Sequence, residues 1–88
     1  MESDVEGRST VWAEEQGFWQ RKLVYPGRRG CVDRVFSRAD RGPVFVEFKD
    51  KGEEPRINQK REHKRMRDAG IELHVVDSFA DFKRMLLP

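Results

Sequence analysis

The segment Val44-Phe45-Val46-Glu47-Phe48-Lys49 constrains the fold more than any other part of the 88-residue chain. It alternates with period two, so Val44, Val46 and Phe48 face one side of a strand and Phe45, Glu47 and Lys49 face the other. A carboxylate and an ammonium on the same face of such an apolar strand are costly to bury unless they are paired or bound to a metal. The strand therefore needs a core on one face and chemistry on the other.

The remaining elements follow from local signals. Residues 2–16 have helix-compatible composition, with Val5, Ser9 and Trp12 forming a weak stripe and Gly17 placed to cap it. Residues 18–25 and 31–36 read as strands, separated by the turn signal Pro26-Gly27 and by Gly30. Residues 39–43 read as a hairpin loop before the Val44–Lys49 strand, which Gly52 ends. Pro55 suits the first turn of a helix running to about Ala69 and capped by Gly70. Ile71, Leu73 and Val75 then alternate with Glu72, His74 and Val76 in a further strand. Asp77 or Ser78 caps a last helix with Phe79, Phe82 and Leu86 on one face. The order α-β-β-β-α-β-α predicts one α/β domain over residues 1–88, a mixed sheet of about four strands flanked by helices.

A domain of this size buries little of its surface, so a homodimer is a natural way to bury more. The net charge is only +2, but Arg56, Lys60, Arg61, Lys64, Arg65 and Arg67 crowd one segment and Arg28, Arg29, Arg34 and Arg38 another. Such clusters can form a footprint for a polyanion, or a solvated helix face. A lone Cys31 makes no internal disulfide and fits a reducing compartment. No run approaches the ~20 apolar residues of a membrane span, and the polar, acidic N-terminus is no signal peptide, so a cytoplasmic protein is expected. His63 reads as a surface or half-buried residue and His74 as a strand residue on the polar face. Trp12 and Trp19 read as packing residues; an exposed one would point to a dimer interface.

A hairpin between residues 31–36 and 44–49 can bring Asp33 near Glu47. Two acids at one point repel, and a divalent cation relieves the repulsion. The hard oxygen donors favour Mg²⁺ or Mn²⁺.

The pattern Asp33, thirteen residues, Glu47-Phe48-Lys49 resembles the PD-(D/E)xK nucleases and their restriction-endonuclease-like core. More narrowly, the chain is similar to stand-alone VRR-NUC (virus-type replication–repair nuclease) domains of phages and bacteria. The likeness is carried by Gly27-Arg28-Arg29-Gly30-Cys31-Val32-Asp33-Arg34 and Val44-Phe45-Val46-Glu47-Phe48-Lys49. It continues through Gly52-Glu53, Pro55 with Gln59 four residues later, and Val75-Val76-Asp77-Ser78. One departure is Val32, where the family usually has proline.

The resemblance implies that Asp33 and Glu47 ligate the metal. It implies that Lys49 orients or activates the attacking water and offsets charge on the phosphate. A glutamate on the first helix completes the metal site; Glu6 is the choice and Glu2 the fallback. Gln59 matches a helix glutamine that holds Lys49 or a phosphate in place. Arg28, Arg29 and Arg34 would bind phosphates of the scissile strand, and Lys60, Arg61, Lys64 and Arg65 more distant ones.

The implied activity is metal-dependent endonucleolytic hydrolysis of DNA. The small size and the family suggest a symmetric homodimer acting on branched DNA as a Holliday-junction resolvase does, in the host cytoplasm if phage-encoded. Two other readings stay open at this point: a non-catalytic nucleic-acid-binding module, and a nuclease subunit that needs a partner.

Overall fold

The structure is a computed structural model that describes residues 2–26 and 31–88. Its elements are α1 (Glu2–Glu15), β1 (Trp19–Lys22), β2 (Arg34–Arg38), β3 (Arg41–Phe48), α2 (Ile57–Asp68), β4 (Leu73–Val76) and α3 (Phe79–Leu86). The α-β-β-β-α-β-α order is therefore the one expected. The four strands form one mixed sheet in the order β1-β2-β3-β4. The first two pairings are antiparallel, and β3 pairs parallel with β4 through the α2 crossover.

Alternation along β3 separates the two faces. Val44, Val46 and Phe48 are fully buried with Phe18 and Phe36 from the neighbouring sheet region, Ala13 of α1, and Phe82 and Leu86 of α3. Phe82 meets the Phe36 ring at 5.0 Å and the Phe48 ring at 5.7 Å, and Trp12 stands edge-on to Phe82 at 6.1 Å. This is the main core, and it anchors α1 and α3 to one face. The other face carries Phe45 with a smaller cluster of Val32, Met66 and Leu73 under α2. Val32, at the family's proline position, is thus a core residue, 1% exposed.

Several boundaries differ from the sequence reading. β3 starts at Arg41 rather than Val44, which reduces the hairpin loop to Ala39 and Asp40. A register shift between Phe36 and Arg38 absorbs the extra length, and Pro43, which has no N–H to donate, falls beside it. Gly42 makes the register shift possible. Its φ is +117°, and a Cβ there would lie 2.9 Å from the Phe36 carbonyl oxygen. Strand β2 begins at Arg34, so Asp33 stands at its mouth rather than inside it. Pro55 precedes α2 by two residues instead of entering its first turn. Gly17, at φ +87°, ends α1 as its spacing predicts. Ser78 caps α3, its Oγ accepting the Asp81 N–H at 3.1 Å.

Candidate active site

The sheet brings three of the expected residues together from two adjoining segments. Asp33 N–H donates to the Val46 carbonyl at 3.1 Å, fixing the Asp33 backbone against β3. The Asp33 Oδ2 atom in turn accepts the Phe48 N–H at 2.7 Å. That amide would otherwise seek a strand carbonyl, so the side chain takes the next rung and ends the β2–β3 ladder. The Asp33 carboxylate is thereby bonded to the residue that separates Glu47 from Lys49. Burial pushes its pKa up, the Phe48 amide opposes that, and the charge of Glu6 adds to the rise while Lys22 and Lys49 lower it.

Glu47 is 2% exposed and points to the α2 side of β3. Its Oε2 accepts from Gln59 Nε2 at 3.0 Å and lies 3.3 Å from Lys49 Nζ. A buried carboxylate with an ammonium and an amide at one oxygen is held in a defined orientation. β3 is an inner strand, flanked by β2 and β4. The Glu47–Lys49 pair is therefore not an exposed pair on a sheet edge.

Gln59 is itself clamped. Its Oε1 accepts the Arg56 N–H at 2.9 Å, closing the start of α2, while its Nε2 reaches Glu47. The contact is to Glu47 rather than to Lys49. One amide so couples the helix N-terminus to the carboxylate, and neither end can swing without losing a hydrogen bond.

Glu6 sits at the Asp33 end of the site. Arg34 Nε donates to its Oε2 at 2.7 Å, and Lys22 Nζ is 3.5 Å from the same oxygen. Arg34 also donates to Gln20 Oε1 at 2.8 Å. Glu6 and Gln20 together thus hold the Arg34 guanidinium in place. The Glu2 side chain, Arg28 and Arg29 lie outside the described residues. Lys60, Arg61, Lys64 and Arg65 are exposed on the outer side of α2, with Lys60 beside Glu54, Lys64 beside Asp68 and Arg65 beside Glu62.

Among the described residues no group of three or more His, Cys, Asp or Glu side chains stands close enough to cage a metal. Magnesium takes one or two carboxylates and keeps several waters, so an Asp33–Glu47 pair suits it where a closed cage does not. Glu6, whose charge raises the Asp33 pKa, is the further carboxylate of the expected set.

Two residues escaped the sequence reading. His63 is 2% exposed rather than on the surface or half-buried, and Glu62 is buried beside it. With Gln59 and Met66 they line the inner side of α2 at i, i+3, i+4 and i+7. The spacing was visible, but three of its four residues are polar, so no apolar stripe marked it.

No family model matches the chain. A solved structure described as a VRR_NUC domain superimposes with a TM-score of 0.87 at 34% identity, covering 96% of this chain and 91% of its own. The chain belongs to the VRR-NUC family. A relative from Acyrthosiphon pisum secondary endosymbiont phage 1, named "Putative nuclease p44", is 44% identical over 57 residues. That match takes in 65% of this chain and spans 61% of the phage protein's length. The likeness thus extends over nearly the whole chain.

Proposed function

We propose that this VRR-NUC domain is a nuclease that hydrolyses DNA phosphodiester bonds with Mg²⁺ or Mn²⁺. The observation that carries the reading is the Glu47 carboxylate, buried in the middle of a sheet and oriented by Lys49 and Gln59. Beside it Asp33 is locked onto the intervening Phe48 amide. A purely structural role would favour apolar side chains on such an inner strand, because charges kept there carry a desolvation cost.

Asp33 and Glu47 would hold the ion, with Glu6 as the further carboxylate. When bound, the ion would supply Lewis-acid polarisation of the phosphate and make an attacking water more acidic. The chain's own residues do the positioning. Glu47 and Asp33 are kept from splaying by the Gln59 amide and the Phe48 N–H. Lys49, two residues from Glu47 on the same face, directs an N–H toward the attacking water or a phosphate oxygen and offsets the negative charge that develops there. Water attacks phosphorus and releases a proton to solvent, the bond from phosphorus to the 3′-oxygen breaks, and that oxygen leaves and takes up a proton from solvent.

Binding would rest on phosphates rather than on base edges. Lys60, Arg61, Lys64 and Arg65 offer exposed cations on α2, and Arg28 and Arg29 flank Asp33 in sequence. Selectivity for branched DNA and a symmetric homodimer belong to the same proposal. Trp19, 50% exposed on the edge strand β1, is a surface that a second copy could cover.

The deciding experiment is cleavage of four-way junctions, flaps and linear duplex with and without Mg²⁺ or Mn²⁺, by the parent and by Asp33→Ala and Lys49→Ala. Metal-dependent cutting that both substitutions abolish is expected, with junctions cut fastest. Equal cutting of all three DNAs would remove the junction preference. Binding that survives both substitutions, with no cutting by the parent, would mark a binding module instead.

A further inference from the structure

We infer that His63 is a positioning residue of this site, its Nε2 holding an ordered water that fixes the Lys49 ammonium. The inference rests on the nuclease reading for its consequence but not for its geometry. His63 is 2% exposed, and its Nε2 is fully buried with no hydrogen-bond partner among the described residues. Buried polar atoms in native proteins are satisfied by protein or by ordered water, so a water at Nε2 is the expected partner.

The imidazole stands on the inner side of α2, one helical turn beyond Gln59. Gln59 reaches Glu47, and Glu47 reaches Lys49, so α2 already touches this chain of polar groups at one point. His63 lies within electrostatic reach of Lys49 as well. Burial depresses its pKa, and the positive charges of Arg67 and Lys49 depress it further against the opposing charge of Glu62. The ring is accordingly neutral at physiological pH and retains a lone pair. A neutral nitrogen accepts a hydrogen bond from a water that itself accepts one from an ammonium. A position that needed only packing would carry an apolar side chain, and an imidazole with an unsatisfied nitrogen is a poor choice for that purpose.

Lys49 would then be restrained on two sides, by the Glu47 carboxylate and by the water on His63. This matters because a lysine has four rotatable side-chain bonds and is otherwise a mobile point charge.

The test compares His63→Leu, His63→Gln and His63→Asn in the full chain. Gln places a polar atom close to where Nε2 stood, whereas Asn places one close to Nδ1 and Leu places none. The expected result is a fall in kcat of about 10- to 100-fold for Leu and Asn with KM unchanged, the scale on which partners of a metal-site residue act. Gln is expected to stay close to the parent. A second readout needs neither metal nor DNA: the ¹⁵N–¹H signal of the Lys49 ammonium. It should be slowly exchanging in the parent and in His63→Gln, and lost to fast solvent exchange in His63→Asn. Should Leu fail to fold, the Gln–Asn contrast still decides.

A parent ammonium that exchanges as fast as surface lysines would overturn the inference, as would equal signals in Gln and Asn. A parent that cleaves no DNA yet shows the protected signal would remove the nuclease reading and leave the positioning role standing.

Discussion

The two faces of the sheet are made by the same strands and obey different rules. On the α1/α3 face, Val44, Val46, Phe48, Phe36, Phe82 and Leu86 are all fully buried and make a dry aromatic core. On the α2 face, Val32, Met66 and Leu73 form a smaller cluster, and the neighbouring buried positions are Glu47, Glu62 and His63. β3 serves both, because successive side chains point to opposite faces. Its even-numbered residues from Val44 to Phe48 hold the domain together, and Glu47, with Lys49 just beyond the strand, is available for chemistry. The contrast teaches that an 88-residue domain can place buried charge on an inner strand when a full apolar core backs the other face.

The largest effect that could break this division is on cleavage. Lys49→Ala is expected to reduce metal-dependent cutting by at least about 10²-fold, the effect of removing one donor that stabilises a transition state. The variant should remain folded at the assay temperature but unfold at a lower one than the parent, because the buried Glu47 carboxylate loses its ammonium partner. A variant already unfolded at the assay temperature would show that the α2 face is structural. Phe82→Ala tests the opposite face. It removes a fully buried ring that contacts Phe36 and Phe48, and should destabilise the fold by about 3–5 kcal/mol in urea titration. Any residual folded protein should cut DNA at the parent rate.

Gln59→Leu sharpens the comparison by removing only the clamp between α2 and Glu47. It should lower kcat by about 10- to 100-fold, as loss of a partner to a metal-binding residue does. It should also loosen the start of α2 through loss of the Arg56 contact, visible as faster amide exchange there. Retained activity would show that Glu47 is oriented without Gln59.

The smallest expected effect lies at the sheet margin, away from the site. Arg41 donates to both Glu72 oxygens at 2.8 Å, and His74 adds a contact at 2.8 Å. Hydrogen bonds from Arg41 and then His74 hold the Glu72 carboxyl down to about 2. A depressed carboxyl pKa stabilises the folded state above the ordinary value of 4.5, and this contribution is lost as pH falls from there toward about 2. Glu72 is 42% exposed, so solvent screening limits the contribution to below about 1 kcal/mol. Glu72→Gln should flatten that part of the stability curve and leave cleavage unchanged. A wider change would mean that this margin is coupled to the site.

The dry face was the more legible of the two. The alternation of Val44 to Lys49, the Phe79–Phe82–Leu86 spacing and the Ser78 cap are each local signals. Each predicts an element or a face that the structure contains. The hairpin was less legible, because Asp40 and Gly42 read as loop residues over the whole of 39–43, whereas the register shift lets the segment from Arg41 stand in β3. Of the site, Asp33, Glu47 and Lys49 could be read from spacing together with the family resemblance. The inner side of α2 could not, since its polar residues looked like the rest of a charged helix. His63 and Glu62 are buried by the packing of α2 over the sheet, which no pattern within residues 57–68 records. The pairing of Arg34 with Glu6 joins residues 28 positions apart and was equally invisible.

Whether the α2 face gathers carboxylates for a divalent ion is read from crystals grown with Mn²⁺ and measured at the manganese absorption edge. An anomalous peak is expected within ligand distance of oxygens from both Asp33 and Glu47, absent in Asp33→Ala. Well-diffracting crystals with both carboxylates ordered and no peak between them, or with manganese bound only elsewhere, would contradict it.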